Sequence, residues 1–321
     1  MPLVLKASEV APLLDLKQAV TITEAVFREQ ATGAVEVHPP YHLHVDKGSL
    51  RVVSAALKGS DRMGLRFGPA SGLTSPRGIE SHLAALYATD GELLSVMGYP
   101  FATLRTGATV AVAVKHMAPE AACRVGLIGT GMNALSLLEG VQLVRPVAEV
   151  AVYSRDEDRR KTFAAAAERA LGLPVRPVAE PREAVSARDI VLTATNFRQP
   201  LFPFDWLDDG AHVASMGPIG EIAEEVFLKA SHVVVSCKEH EKHYLYPMKP
   251  FPLVDLIAEG KLHWDDVDEL GDVVAGRPKA QRQKRGTTLF HESAGGFGDV
   301  AFAAYVYSEA RRRGLGQEVS F

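Results

Sequence analysis

From Val125 onward, short β-branched runs alternate with stretches of helical spacing, which predicts βαβ units and a parallel sheet. Five strands are expected there: Val125–Ile128, Val150–Tyr153, Ile190–Thr193, His212–Ser215 and His232–Ser236. Between the first two, Ala134, Leu138 and Val141 recur at helical spacing, and Asp156–Ala170 is a helix rich in alanine and charge. The first 118 or so residues have a different rhythm. It predicts a helix near Leu16–Gln30, alternating strands through His42–Leu57, and a further strand around Leu83–Thr89. Asp90-Gly91 then makes a hairpin turn ahead of Leu93–Met97. After Arg285 a glycine-rich turn, Ala294-Gly295-Gly296, leads into a helix from Asp299 to about Arg312, expected to pack back on the first unit. The predicted fold class is α/β. A Rossmann-type doubly wound parallel sheet occupies residues 119–285, and a smaller α+β domain is formed by residues 1–118 and completed by the C-terminal helix within 286–321.

The first strand of the middle region runs straight into Gly129-Thr130-Gly131-Met132-Asn133-Ala134, a Gly-x-Gly-x-x-Ala turn at a helix start. In a dinucleotide site the first glycine permits the tight turn, the second lets the backbone approach a pyrophosphate, and the small third residue lets the helix pack closely. The helix N-terminus then faces the anion. An ordinary strand-to-helix turn is the plain alternative, but the preceding strand and a second strand ending about 20 residues later favour cofactor binding. That second strand ends at Tyr153-Ser154-Arg155 without the carboxylate that normally takes the ribose 2′-hydroxyl of NAD. Ser154 and Arg155 suit a 2′-phosphate, so the cofactor is read as NAD(P)(H) with a lean to NADP(H). Two alternatives stand beside this: Arg155 as the cap of a surface turn, and Asp156 serving NAD. Thr193-Ala194-Thr195 and Ser215-Met216-Gly217 end later strands at the same carboxyl edge, where the nicotinamide ring is expected.

Composition narrows the class. A chain of 321 residues exceeds the usual size of one core, consistent with two domains. A net charge of -4 carries no basic surplus for nucleic acid. The two cysteines, Cys123 and Cys237, form no Cys-x-x-Cys pair, so neither a disulfide framework nor a zinc site is expected and a reducing cytoplasm fits. The longest apolar run, Ala108–Val114, is too short to span a bilayer, and no signal segment is read at the N-terminus.

The segment Thr103-Leu104-Arg105-Thr106-Gly107-Ala108, followed by a helix and then the dinucleotide turn, resembles the arginine-threonine stretch of the ornithine cyclodeaminase and mu-crystallin family. Gly64-Leu65-Arg66 after a strand, Ser81-His82, Asp189–Thr195, and Phe290-x-x-Ser293 followed by Asp299 extend the similarity over most of the chain. The resemblance implies a homodimer built largely through the non-Rossmann domain, with a small amino or imino acid held between the domains against the nicotinamide. It also implies imine chemistry: cyclodeaminases of the family oxidise ornithine to an imine, close the ring, lose ammonia and return the hydride. Relatives run simpler halves of that cycle as ketimine reductases or amino-acid dehydrogenases. Three polar positions depart from the family pattern. Arg66 stands where lysine is common, Tyr41 near an arginine position, and Ile219 where cyclodeaminases carry an aspartate.

Arg105 is the leading candidate to bind a substrate carboxylate, with a salt bridge at a helix start as the structural alternative. Arg66 reads either as a second clamp or as an interdomain ion pair; a guanidinium stays protonated and cannot serve as a base. His82 is a candidate proton carrier or a structural histidine. His42, His44 and Asp46 share a strand face that superficially resembles a metal site, but no metal is expected. Glu239-His240-Glu241-Lys242-His243 reads as a solvated face, and Asp299 as a cap of the last helix or a residue lining the cleft. The expected activity is hydride transfer on a small amino or imino acid. The alternatives are an ornithine cyclodeaminase that uses Glu221 or His82, and a mu-crystallin-like binding protein.

Overall fold

The computed structural model describes residues 1–46, 48–69, 82–216, 220–243, 251–278, 286–293 and 295–320. The chain divides into two units, residues 1–105 with 294–321, and residues 106–293.

In the first unit the order of paired strands is Gln317–Glu318, Leu3–Leu5, Leu93–Gly98, Leu83–Tyr87, Arg62–Pro69, Gly48–Leu57 and Val35–Val37, with Tyr41–Val45 also paired to Gly48–Leu57. Pairing is antiparallel except where Leu3–Leu5 runs parallel to Leu93–Gly98. The period of two decides which face is inside: Val53, Ala55 and Leu57 are buried, as are Arg66, Ala84 and Leu86. The helices Leu16–Gln30 and Gly296–Arg313 belong to this core, and the rings of Phe27 and Phe297 meet edge to face at 5.2 Å. The first helix starts where the sequence places it because the Asp15 carboxylate accepts from the Gln18 amide at 2.8 Å. The Asp90-Gly91 hairpin forms as expected, with Gly91 at φ +98°.

The second unit holds a parallel sheet of eight strands among the described residues. Their order is Val175–Pro177, Glu149–Tyr153, Arg124–Ile128, Ile190–Thr193, His212–Ser215, Thr288–His291, His232–Val235 and Val267–Glu269. The five expected strands are present, and three more join them. Thr288–His291 lies beyond the expected boundary at 285, yet it fills the slot between His212–Ser215 and His232–Val235. The division at 293/294 therefore replaces the one at 285/286.

The other boundary also moves, from 118/119 to 105/106. From Thr106 the helix Ala102–Met117 packs tightly on Ala134–Val144: a Cβ on Gly140 would lie 2.7 Å from Gly107 O, and one on Gly107 would lie 2.6 Å from Ser136 O. No helix among the described residues is long and apolar enough to cross a membrane.

Candidate active site

The turn after the strand Arg124–Ile128 admits little but glycine at its first position. Gly129 sits at φ +102°, and a Cβ there would lie 2.4 Å from Ala194 O. Its amide donates to Tyr153 O at 2.8 Å, and the Ala194 amide donates to Ile128 O at 2.8 Å, which ties three strand ends together. Gly131 differs. Among the described residues a Cβ there would meet only Ala194 O, at 3.4 Å. Among the described residues that volume is open in front of the helix Ala134–Val144, whose N-cap Asn133 makes no side-chain capping bond. Open space beside helix amides that lack intrahelical partners fits a phosphate. Thr130 and Asn133 are half-buried there, and Met132 is 67% exposed.

At the tip of the second strand the Asp156 carboxylate accepts from the Arg159 amide at 3.0 Å and caps the helix Glu157–Leu171. That bond uses one Asp156 oxygen, and the exposed carboxylate keeps its other oxygen. Ser154 Oγ donates to Asp156 O at 3.1 Å. Arg155 is exposed, with its guanidinium 4.9 Å over the Phe197 ring. Stacking orients the group without using its N–H donors.

Farther along the carboxyl edge, Thr193, Ser215 and His291 are register neighbours on three adjacent strands. Glu221 Oε1 accepts from Thr193 Oγ1 at 2.6 Å and Ser215 Oγ at 2.9 Å, and its Oε2 accepts from Thr195 Oγ1 at 2.5 Å. Burial raises the Glu221 carboxyl above its ordinary value, opposed by these hydroxyls and by the charge of His291. Thr193 is fully buried, so its hydroxyl serves Glu221, while Ala194, Thr195 and Met216 are half-buried at the edge. Gly217 and Ile219 lie outside the described residues.

The run 239–243, expected as a solvated face, divides. Lys242 and His243 are exposed, but His240 and Glu241 are buried, and Glu241 Oε1 lies 2.9 Å from His291 Nδ1. A buried carboxylate needs such a partner.

In the first unit the sequence-predicted arginines meet at one carboxylate. Arg66 Nε donates to Asp299 Oδ2 at 3.0 Å, Arg105 Nε lies 3.4 Å from Asp299 Oδ1, and the Tyr99 hydroxyl donates to that Oδ1 at 2.7 Å. All four side chains are buried. Burial alone would raise the Asp299 carboxyl, but the charges of Arg66 and Arg105 outweigh it and hold the pKa below its usual value. Burial, joined by the Asp299 charge, pushes the Tyr99 phenol well above its ordinary value.

Asp299 is thus not a cap. The helix begins at Gly296 with Gly295 as N-cap, which places Asp299 inside it. Arg66 is an ion pair within one unit rather than between domains.

His82 follows Leu83↔Phe67 in the register, so it sits opposite Gly68 on the sheet face that carries Arg66. A Cβ on Gly68 would lie 2.5 Å from His82 Cδ2, and His82 Nε2 donates to Pro69 O at 3.0 Å. Ser81, quoted with it, lies outside the described residues. The rings of His42 and His44 stack at 5.7 Å, and no group of three potential metal ligands occurs among the described residues. Sequence reasoning missed Tyr99 and His291, whose roles are assigned only by distant partners, Asp299 and Glu241.

The profile of the Ornithine cyclodeaminase/mu-crystallin family matches residues 1–314. The chain belongs to that family. Alanine dehydrogenase of Archaeoglobus fulgidus is 28% identical over 328 residues, covering 99% of this chain and 98% of that protein. Among solved structures, the Δ1-pyrroline-2-carboxylate reductase of Thermococcus litoralis in complex with NADH and L-proline matches with TM-score 0.85 and 27% identity, over 99% of this chain and 100% of the other. An archaeal alanine dehydrogenase dimer with bound NAD matches with TM-score 0.87 and 28% identity, over 100% and 99%. In this member of the ornithine cyclodeaminase/mu-crystallin family, Arg66 is a fixed cation that cannot exchange protons.

Proposed function

We propose that this chain is a NAD(P)(H)-dependent oxidoreductase of a small amino or imino acid, with a substrate carboxylate held by Arg105 and Arg66. The observation that carries this is the shared counter-ion. Two guanidinium groups lean on one carboxylate through their Nε atoms, so the trio retains one positive charge. Among the described residues Arg66 donates to Asp299 through Nε, and the remaining N–H donors of a guanidinium suit a carboxylate. When bound, the nicotinamide ring supplies or accepts the hydride.

The deciding assay is oxidation of NADPH and NADH with pyrroline and piperideine carboxylates. Turnover is expected, and Arg105→Ala is expected to lower kcat/KM by roughly 10- to 150-fold, the loss of a charged hydrogen bond. Turnover unchanged in Arg105→Ala would sink the carboxylate role. Release of ammonia from ornithine, with no imino-acid reduction, would move the chain to the cyclodeaminases. That alternative has weak support, because both Glu221 oxygens are occupied by hydroxyls.

The lean to NADP(H) is supported by the stacked, exposed Arg155. Arg155→Ala is expected to weaken NADPH about tenfold while leaving NADH nearly unchanged. Fluorescence titration with both cofactors checks this, and equal losses would remove the preference.

We also propose a homodimer through the first sheet. Tyr41, Leu43 and Val45 share the face opposite the buried one and are 62%, 50% and 65% exposed, with Leu50 and Leu83 beside them at 40% and 39%. A contiguous apolar face of this kind is uncommon on a monomer, and a family relative of known structure is a dimer. Light scattering is expected to give twice the 34.6 kDa of the chain, and a monomer at micromolar concentration would exclude the proposal.

A further inference from the structure

Glu221 gathers more hydrogen bonds than any strand pairing requires. Thr193 and Ser215 end two neighbouring parallel strands, and Thr195 lies in the turn after the first of them. All three hydroxyls donate to the Glu221 carboxylate, and its main-chain oxygen accepts from the Leu201 amide at 2.9 Å. Three O–H donors aimed at two oxygens favour the ionised form and oppose the burial that raises the carboxyl.

The directions of these bonds fix Thr195. Its Oγ1 accepts from the Phe197 amide at 3.1 Å and donates to Glu221 Oε2 at 2.5 Å, so the hydroxyl proton is committed inward. The same turn carries two groups that border the dinucleotide turn and the second-strand tip. The Ala194 carbonyl occupies the space where Gly129 lacks a Cβ, and the Phe197 ring lies under the Arg155 guanidinium. A shift of the turn would therefore disturb both ends of the cofactor cradle.

We propose that Glu221 is a positioning residue that sets dinucleotide affinity through Thr195 and the turn 194–197, without itself touching the cofactor. This rests on the oxidoreductase reading above. Glu221 is almost fully buried with both oxygens bonded, which leaves it no surface to offer a ligand.

The test is titration of the parent protein, Glu221→Gln, Thr195→Val and the double variant with NADPH and NADH, beside thermal unfolding without cofactor. In Glu221→Gln the amide oxygen can keep Thr193 and Ser215, but the amide nitrogen donates instead of accepting, so the Thr195 hydroxyl proton loses its acceptor and the bond that holds the turn is altered. Thr195→Val removes the hydroxyl and serves if the buried substitution folds poorly. Each single variant is expected to weaken Kd about tenfold, Thr195→Val with little change in Tm. The double variant is expected to be no weaker than either single, because both act through one bond. Unchanged Kd in both singles, or losses that multiply in the double variant, would overturn the proposal. A parent that binds neither dinucleotide overturns it together with the oxidoreductase reading, whereas a binding parent with unaffected variants overturns this proposal alone.

Discussion

Replacing Asp299 with alanine is expected to lower the folding free energy by about 3–5 kcal/mol, the cost of removing one partner from a buried ion pair. The reason lies in the shared counter-ion. Arg66 and Arg105 are both buried and both lie against the Asp299 carboxylate, so its removal takes a counter-charge from two like charges in a poorly solvated site. The Tyr99 hydroxyl loses its acceptor as well. Asp299→Asn should cost less, because the amide oxygen still accepts a bond although the charge is gone. Urea unfolding with an unchanged m-value measures the difference. A loss under 1 kcal/mol for Asp299→Ala would mean that water or another group neutralises the arginines, and the carboxylate clamp would then lose its basis.

The second large effect is expected at Gly129, where valine should weaken dinucleotide binding by on the order of 100-fold or more. Two costs combine. A β-branched residue at φ +102° is a rare conformation, with strain of about 1–3 kcal/mol. Its Cβ would also lie 2.4 Å from the Ala194 carbonyl oxygen, so the turn must move away from the strand that supports it. Gly131→Ala provides the contrast. Its nearest described neighbour is at 3.4 Å, so the folded protein should keep its Tm while the cofactor Kd rises. Fluorescence titration reads the affinity and circular dichroism the fold. A Gly129→Val protein that folds and binds NADH or NADPH like the parent would show that the turn does not cradle a phosphate.

Local chemistry made some features legible in the sequence. The helix Leu16–Gln30 was readable at both ends because its cap and apolar face lie within the segment itself. The Gly129 turn was readable because strand, glycines and helix are contiguous. Features that depend on distant partners were not. Asp299 looks like a capping residue until Arg66, 233 residues earlier, is placed beside it. Glu241, in the helix Lys238–His243, looks solvated until His291 arrives from the strand Thr288–His291. Val175–Pro177 and Val267–Glu269 are three-residue strands containing proline or acidic residues, too short for a periodic signal. Thr288–His291 carries strand character, but its place between two strands made far earlier is a matter of topology alone.

That inserted strand bears on how the protein is made. The parallel sheet keeps a vacant slot between His212–Ser215 and His232–Val235 until residues 288–291 exist, and the first unit lacks one of its two long helices until residues 296–313 exist. Neither unit can reach its native contacts while the chain is still emerging from the ribosome through these segments. Both then close on the same late stretch of polypeptide, a route rich in contacts between residues far apart in sequence, which makes folding slow and leaves strand edges open meanwhile.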